Sequence, residues 1–349
     1  MQLRRTILCL ALLPACGSDD SATDPTLGGD GSSDPTVTSV DPSEGSGDAS
    51  SSDGGVDATT ATTVDPTAAA TTDDPTSTTA DPDTTGDTGS AADFEALCAS
   101  PGVIFCDDFE GGADEAWMED GGDVRFPAGA AVPGVGETVV ELATYADQQS
   151  SKLIYVFPDT DEIYIRFDVQ YDPTYDNTGG SHGPVLAGSM EPPWGAFGTA
   201  GIQPQGDDYF VLNFEPNNVV GEDGVFHFYA YFVNMLPDGN GDYWGNYFDS
   251  TMQPPPTIEA GQWQCVEYGL TLNEPASGDG LADFWVDGVH HGHFDGFIWR
   301  TVPELQINTF SLDSYNHFNN GPVSPETPNL VRYDNVVIST QPVGCLAGQ

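Results

Sequence analysis

The chain has 349 residues and a formal net charge of −48, from 55 acidic residues against seven lysines and arginines. So negative a protein repels nucleic acids and other polyanions, which excludes nucleic-acid binding as a general function. The same field favours neutral ligands, cations, or simply solubility in salt-rich surroundings.

Residues 1–15 have the layout of a secretory signal. Two arginines precede an apolar run over 7–13, which is too short to cross a bilayer as a helix. The Leu-Pro-Ala-Cys sequence that ends at Cys16 resembles the lipobox of bacterial lipoproteins, and Gly17 after it is typical of delivery to the outer membrane or cell surface. The resemblance implies lipidation of Cys16 and contact with the membrane through that anchor alone. An ordinary secreted protein cleaved near Ala15 is the alternative.

Residues 16–92 have a different composition, dominated by Asp, Ser, Thr, Gly, Pro and Ala. This stretch contains 16 acidic residues, no lysine or arginine, and few large apolar residues. Too little apolar surface is present to offset the chain entropy lost on folding, and like charges repel one another. We therefore predict a disordered tether that holds the following domain away from the membrane.

Residues 93–349 carry 39 acidic and five basic residues and are long enough for one domain, which we expect to be monomeric. Short runs of aromatic and β-branched residues alternate with Gly, Pro, Asn and Asp, and helical periodicity is nearly absent. The pattern predicts an all-β domain of two packed antiparallel sheets, a sandwich or jelly roll. The predicted strands are 103–110, 139–143, 152–157, 162–171, 208–215, 225–233, 263–272, 282–288, 305–312 and 330–339.

Four cysteines remain after the signal and the lipid site, and in an exported domain they indicate two disulfides. Three connectivities are possible. Joining the two ends, Cys98 with Cys345, leaves Cys106 with Cys265 and is our first choice; Cys98–Cys106 with Cys265–Cys345 is the second. A zinc site is the weaker alternative, because no paired Cys-x-x-Cys spacing exists.

Side-chain alternation assigns the faces of two predicted strands. Strand 162–171 directs Ile163, Ile165, Phe167 and Val169 to the core, and strand 225–233 directs Phe226, Phe228, Ala230 and Phe232 there. The opposite faces combine aromatic planes, hydroxyls and charged groups, a set that suits sugars, although an ordinary solvated sheet face has the same pattern. The residues on these faces are Tyr164, Arg166, Asp168, Gln170, His227, Tyr229 and Tyr231.

Several motifs occur in a fixed order. They are Gly-Gly-Ser-His-Gly-Pro-Val-Leu-Ala-Gly at 179–188, Gly-Gln-Trp at 261–263, Phe-Trp-Val-Asp-Gly at 284–288 and Arg-Tyr-Asp-Asn-Val-Val-Ile-Ser at 332–339. The series resembles the alginate and glucuronan lyase group. The resemblance implies a concanavalin A-like jelly roll and a polysaccharide partner. The family's loop lysine is absent here, and the strand expected to carry an arginine, 201–205, has no base.

The resemblance also implies roles for residues if the domain is a lyase. Such enzymes remove a proton beside a uronate carboxylate and must stabilise the resulting charge. Tyr229 or Tyr231 would transfer protons, His182 would be the base or neutralise the carboxylate, and Arg166 would hold the substrate. Because the domain has so few bases, we expect non-catalytic polysaccharide binding. A lyase, and a structural or adhesive surface protein without a sugar site, are the alternatives.

A metal site is a further hypothesis, and no other cofactor is predicted. Asp238, Asn240, Asp242 and Asp249 place oxygen atoms at spacings typical of a calcium loop, with Asn246 between them. An acidic turn has the same composition and is the alternative. His290, His291 and His293 follow a predicted turn and are interpreted as exposed hairpin residues rather than as transition-metal ligands.

Overall fold

The computed structural model describes residues 90–133, 135–176, 180–216, 224–317 and 328–346. The predicted signal over 1–15, the lipidation site Cys16 and the predicted tether as far as residue 89 lie outside the described residues. In the part that is described, no helix is both long enough and apolar enough to cross a membrane.

The described chain contains one α-helix, one short 3-10 helix and sixteen strands. The α-helix α1 spans Ala91–Cys98 and the 3-10 helix spans Trp194–Ala196. The strands are β1 Val103–Asp107, β2 Met118–Gly121, β3 Asp123–Arg125, β4 Val140–Thr144, β5 Ser150–Thr160, β6 Glu162–Tyr171, β7 Ser181–His182, β8 Val185–Ser189, β9 Tyr209–Pro216, β10 Phe226–Tyr231, β11 Asn246–Asp249, β12 Gln264–Thr271, β13 Gly280–Val286, β14 Val289–Phe297, β15 Ile307–Asn316 and β16 Asn329–Ser339.

The strands form two antiparallel sheets, which confirms the predicted two-sheet architecture. The first sheet has the order β14-β13-β12-β6-β16-β4-β3, with β1 also paired to β16. The second has the order β11-β10-β9-β8-β15-β5-β2, with β7 also paired to β15. Each sheet combines runs of consecutive strands, such as β12-β13-β14 and β8-β9-β10-β11, with pairs that are distant in the chain, such as β6-β16 and β5-β15, as in jelly rolls.

All ten predicted strands are present, and six others, β2, β3, β7, β8, β11 and β14, were missed. Most of these have five residues or fewer, too short for alternation to be visible, and β14 is an edge strand rich in His and Gly. Helix α1 was also missed. Its signal is a capping box, in which Ser90 and Asp93 each bond the backbone N–H of the other.

The main core lies between the sheets and is rich in aromatic rings. The predicted inward residues of β6 and β10 are all buried there. Phe214 of the second sheet stacks on Tyr268 of the first at a centroid distance of 5.5 Å, and Phe228 meets Phe284 edge-on at 5.1 Å. Each fully buried ring contributes roughly 1.5–3 kcal/mol relative to exposure, so these contacts hold the sheets together.

The ends of the described domain cover the outer face of the first sheet. A second apolar cluster joins Phe94 of α1 and Leu346 near the C-terminal end to Val337 of β16. Two disulfides fasten this cover, Cys98–Cys106 and Cys265–Cys345. The favoured end-to-end pairing is therefore wrong and the second choice is right. Each disulfide joins a terminal segment to the strand against which that segment packs. The first joins α1 to β1, and the second joins the C-terminal segment to β12.

Beneath this cover lies a buried ion pair. Arg166 donates from both terminal nitrogens to the Asp168 carboxylate, at 2.9 and 2.8 Å, and also to the carbonyl of Asn335 at 2.8 Å. The Asn335 side chain donates to Asp168 in turn. Arg166 and Asp168 have no measurable exposure, so each charge depends on the other for compensation.

Replacing Arg166 with methionine is expected to lower the free energy of unfolding by about 3–5 kcal/mol, because Asp168 would remain buried without its partner. Urea denaturation measures the change. The control is Arg125→Gln, which removes a half-exposed pair with Asp123 and should cost less than about 1 kcal/mol. Equal, small losses in both variants would show that the buried pair has no structural role.

Candidate functional site

A cleft of about 270 Å³ lies on the outer face of the second sheet. Strands β5, β7, β8, β9, β10 and β15 supply its floor, and the segment that follows the 3-10 helix supplies one wall. The lining residues are Lys152, His182, Val185, Ala196, Phe197, Gly198, Thr199, Ala200, Val211, Asn213, Tyr229, Tyr231, Asp313, Tyr315 and His317.

Strand register explains how these side chains meet. On β10, Tyr229 and Tyr231 alternate with core residues, and Tyr229 lies directly opposite Asn213 of β9. The two-residue strand β7 places His182 opposite Tyr315 of β15. The chain can lie this close to β9 because Gly183 has no side chain; a Cβ there would be 2.4 Å from the Phe214 carbonyl oxygen.

His182 is held at the centre of the cleft by hydrogen bonds at both ring nitrogens. Nδ1 is 2.5 Å from Oε2 of Glu215, and Nε2 is 3.2 Å from Nε2 of His317. Its ring is stacked between Tyr229 and Tyr315, at centroid distances of 5.2 and 5.7 Å. Glu215 is fully buried, whereas a quarter of the His182 side chain, 26%, is exposed.

The pKa values of the two cleft histidines are shifted in opposite directions. Burial alone would lower the pKa of His182, but the charge and hydrogen bond of Glu215 outweigh it and the pKa is raised. For Glu215, burial would raise the pKa, yet His182 lowers it below the usual value. Burial, together with the nearby His182, lowers the pKa of His317. These shifts favour the protonated form of His182, which would donate to both neighbours, and the neutral form of His317, which would accept.

Tyr229 and Tyr231 form a hydroxyl pair beside these histidines. Their oxygens are 3.2 Å apart, and the backbone N–H of Gly245 donates to the Tyr229 hydroxyl at 2.8 Å. Burial raises the pKa of both phenols, which keeps them protonated near neutral pH. One phenolic proton joins the two oxygens, so the second is available to a molecule in the cleft.

A lysine lies at the opposite side of the lining. Lys152 donates to Asp313 Oδ2 at 2.8 Å, and its ammonium is 5.0 Å from the ring centroid of Phe197. The pair was not predicted, because cross-strand register between β5 and β15 brings together residues 161 positions apart. Three further lining residues, Asn213, Tyr315 and His317, and the buried Glu215 beneath them also come together only in the folded chain and were not predicted.

The predicted sugar-binding face divides between the two sides of the sandwich. His182 lies with Tyr229 and Tyr231 in the cleft, as proposed. His227 is fully buried behind them, with Nε2 3.5 Å from Glu215 Oε1 and Nδ1 3.2 Å from Asp249.

The residues predicted from β6 do not join the site. Strand β6 belongs to the first sheet, so its outward face points away from the cleft, and a single patch with β10 is impossible. Arg166 and Asp168 form the buried pair described above, which rules out Arg166 as a substrate clamp. Tyr164 donates to Glu162, and Gln170 accepts from Arg332.

The calcium hypothesis receives no support from the geometry. Asp238 Oδ1 accepts from the backbone N–H groups of Asn240 and Asp242, as in an acidic turn, and Asp249 pairs with His227. In the described segments, no group of three or more His, Cys, Asp or Glu side chains is placed to hold a metal ion. His290 and His293 lie on β14, where both contact Asp283.

Comparison with family models and with curated proteins gave no match. Among solved structures, alginate lyase vAL-1 from Chlorella virus is similar over 68% of this chain and 99% of its own, with 16% identity and a TM-score of 0.50. The endo-beta-1,4-glucuronan lyase of Trichoderma reesei gives 15% identity and a TM-score of 0.46, covering 68% and 96% of the two chains. At these identities the likeness to vAL-1 establishes the fold alone.

The His182–Glu215 contact makes stability depend on pH. A histidine whose pKa is raised by folding stabilises the protein below pH 6.5, its ordinary pKa, and this contribution is lost as the pH rises through the folded value. We expect the free energy of unfolding to fall over that interval in a urea series at increasing pH.

The variant Glu215→Gln should flatten this decline, because the charge that raises the histidine pKa is gone. The control His290→Gln, which removes an exposed histidine of β14, should keep the wild-type slope. A decline of unchanged size in Glu215→Gln would assign the pH dependence to other groups.

Proposed function

We propose that the cleft binds a uronate-containing polysaccharide and cleaves it by β-elimination. The observation that carries the proposal is the convergence, in one cleft, of a histidine held by a buried carboxylate with a second histidine and a pair of phenols. Solved structures of similar fold include lyases that act on alginate and glucuronan, which supports the choice of reaction.

Binding would use the ring faces and polar groups of the cleft together. The rings of Tyr229, His182 and Tyr315 form a stacked row that gives the cleft an apolar, rigid lining for the C–H groups of sugars. Asn213 and Lys152 add polar contacts from neighbouring strands. A mainly apolar lining with a limited number of polar groups is the usual composition of a ligand cleft.

The reaction requires a positive group, a base and an acid. The uronate carboxylate replaces His317 as the acceptor of the His182 Nε2–H bond, which frees the lone pair on His317 Nε2. That nitrogen takes the proton from the carbon bearing the carboxylate, and the electron pair forms a double bond to the next ring carbon as its bond to the glycosidic oxygen breaks. The departing oxygen receives a proton from the Tyr229–Tyr231 pair.

Binding without cleavage is the second candidate. It is favoured by the ion pairing of Lys152 with Asp313, which leaves His182 as the main positive group to stabilise the developing charge. The two candidates share the cleft and differ in whether an unsaturated product forms. A structural or adhesive role remains if neither binding nor product is found.

Incubation of the purified protein with uronate polymers is expected to produce the ultraviolet absorbance of an unsaturated uronate. The double variant Tyr229→Phe, Tyr231→Phe and the single variant His317→Gln should each reduce kcat at least about 100-fold, the usual size of an acid–base contribution. Tyr164→Phe, on the opposite side of the sandwich, should have wild-type activity.

Three outcomes separate the candidates. Product formation that survives in the double tyrosine variant would contradict the assigned acid. If the wild type binds the polymer in calorimetry but forms no unsaturated product, the second candidate is established. If it shows neither binding nor product, the structural role is the one that stands.

We also propose that the protein is exported and anchored through an acylated Cys16. Expression in a Gram-negative host with labelled palmitate should label the wild type and direct it to the membrane fraction. Cys16→Ser should abolish labelling, because it removes the thiol that would carry the lipid. Cys9→Ser, in the predicted apolar run, is the matched control and should remain labelled. If Cys16→Ser still incorporates labelled palmitate, the proposal is wrong.

A further inference from the structure

All five lysines and arginines of the described chain form ion pairs with carboxylates. Three of these pairs belong to the first sheet, one lies near the start of β6, and one lies in the cleft. In each pair the charge of the base is already neutralised, so no base offers an uncompensated charge to a polyanion. The pairs are Arg125–Asp123, Lys152–Asp313, Arg166–Asp168, Arg300–Asp161 and Arg332–Glu141.

Asp313 determines what can approach Lys152. Its side chain is only 5% exposed, and one oxygen, Oδ2, accepts from Lys152 at 2.8 Å. The other oxygen, Oδ1, is buried and accepts no hydrogen bond from the residues that the structure describes, although Asp313 lines the cleft. A buried carboxylate oxygen needs a donor. A sugar hydroxyl supplies one, whereas a uronate carboxylate at this position would bring a second negative charge.

Exposed aromatic rings continue the cleft surface on two sides. Tyr247, 59% exposed, is 4.9 Å from the Tyr229 ring, and Trp194, 53% exposed, is 6.2 Å from the Phe197 ring of the cleft wall. Stacking on rings binds the C–H face of a sugar and needs no charge on the ligand. These flanking positions are therefore suited to neutral sugars.

We infer that the substrate is a polysaccharide in which neutral sugars separate the uronates, rather than a polymer made of uronates alone. This inference rests on the proposed function and specifies its substrate class. One uronate is bound at His182, a neutral sugar donates a hydroxyl to Asp313, and flanking sugars stack on Tyr247 and Trp194. A polymer with a carboxylate on every sugar would place like charges beside Asp313 and along an acidic surface.

The test compares alginate and glucuronan with gellan and hyaluronan, in which neutral sugars separate the glucuronates. We expect kcat/KM to be at least about tenfold higher for one of the mixed polymers, the discrimination that one unfavourable charge contact produces. Rising salt should increase the rate on glucuronan by screening repulsion, and should leave the rate on the mixed polymer nearly constant. Calorimetric affinities over the same salt series give a readout that does not depend on cleavage.

The role of the Lys152–Asp313 pair is tested by Asp313→Asn, which removes the charge that neutralises Lys152. The ratio of kcat/KM on glucuronan to kcat/KM on the mixed polymer should rise about tenfold. The control is Asp123→Asn, which changes the net charge equally at the Arg125 pair of the first sheet and should leave the ratio unchanged. If Asp313→Asn does not fold, the salt series on the wild type decides.

The outcomes distinguish this inference from the proposed function. Cleavage that is fastest on alginate or glucuronan and slows with salt would overturn the inference while the lyase function stands. Equal shifts in Asp313→Asn and Asp123→Asn would assign the preference to net charge and overturn the role of Asp313. Absence of cleavage on all four polymers would refute the lyase function. If calorimetry then also showed tighter binding of glucuronan than of the mixed polymers, the inferred preference for neutral sugars between the uronates would be refuted as well.

Discussion

The contact between His182 and Glu215 is the constraint on which the site depends. A fully buried carboxylate without a partner costs several kcal/mol, and His182, at 2.5 Å, is the nearest group that compensates it. The two-residue strand β7 must therefore stay docked on β15 and against β9. Docking places the His182 ring between Tyr229 and Tyr315 and its second nitrogen beside His317, so one buried charge sets the positions of four aromatic side chains.

The two outer faces of the sandwich use charge in different ways. On the first sheet, α1 and the C-terminal segment close over Arg166 and Asp168, which pair with each other and with Asn335 and are inaccessible to a ligand. On the second sheet, the wall after the 3-10 helix leaves the face partly open, and His182 keeps a quarter of its surface exposed. Both pairs hold strands together, but only the His182–Glu215 pair has a solvent-accessible member.

Local patterns were sufficient for the two-sheet fold and for three residues of the site, His182, Tyr229 and Tyr231. Alternation along β10 correctly separated the core rings from Tyr229 and Tyr231, and the resemblance around residues 179–188 pointed to His182. The ion-pair partners in the site could not be predicted. Glu215 meets His182, and Asp313 meets Lys152, only through strand register. Arg166 was misassigned because alternation tells which face a side chain takes, not whether another segment covers that face.

In the proposed function, a strongly acidic domain binds a uronate because the repulsion from the acidic surface and the attraction to His182 act over different distances. Most of the acidic charge is spread over the solvated surface, where physiological salt screens it beyond about 8–10 Å. In the proposed complex, a protonated His182 would act at hydrogen-bond distance inside a partly buried cleft, where screening is weak. One carboxylate bound there would gain more from His182 than it would lose to the distant acidic groups. A continuous run of carboxylates would gain nothing further, since the next positive group, Lys152, is already paired with Asp313, and each further carboxylate would be repelled by the nearby acidic groups. The opposite pKa shifts of His182 and His317 have one origin: His182 contacts Glu215, which raises its pKa, whereas burial and the neighbouring His182 lower the pKa of His317.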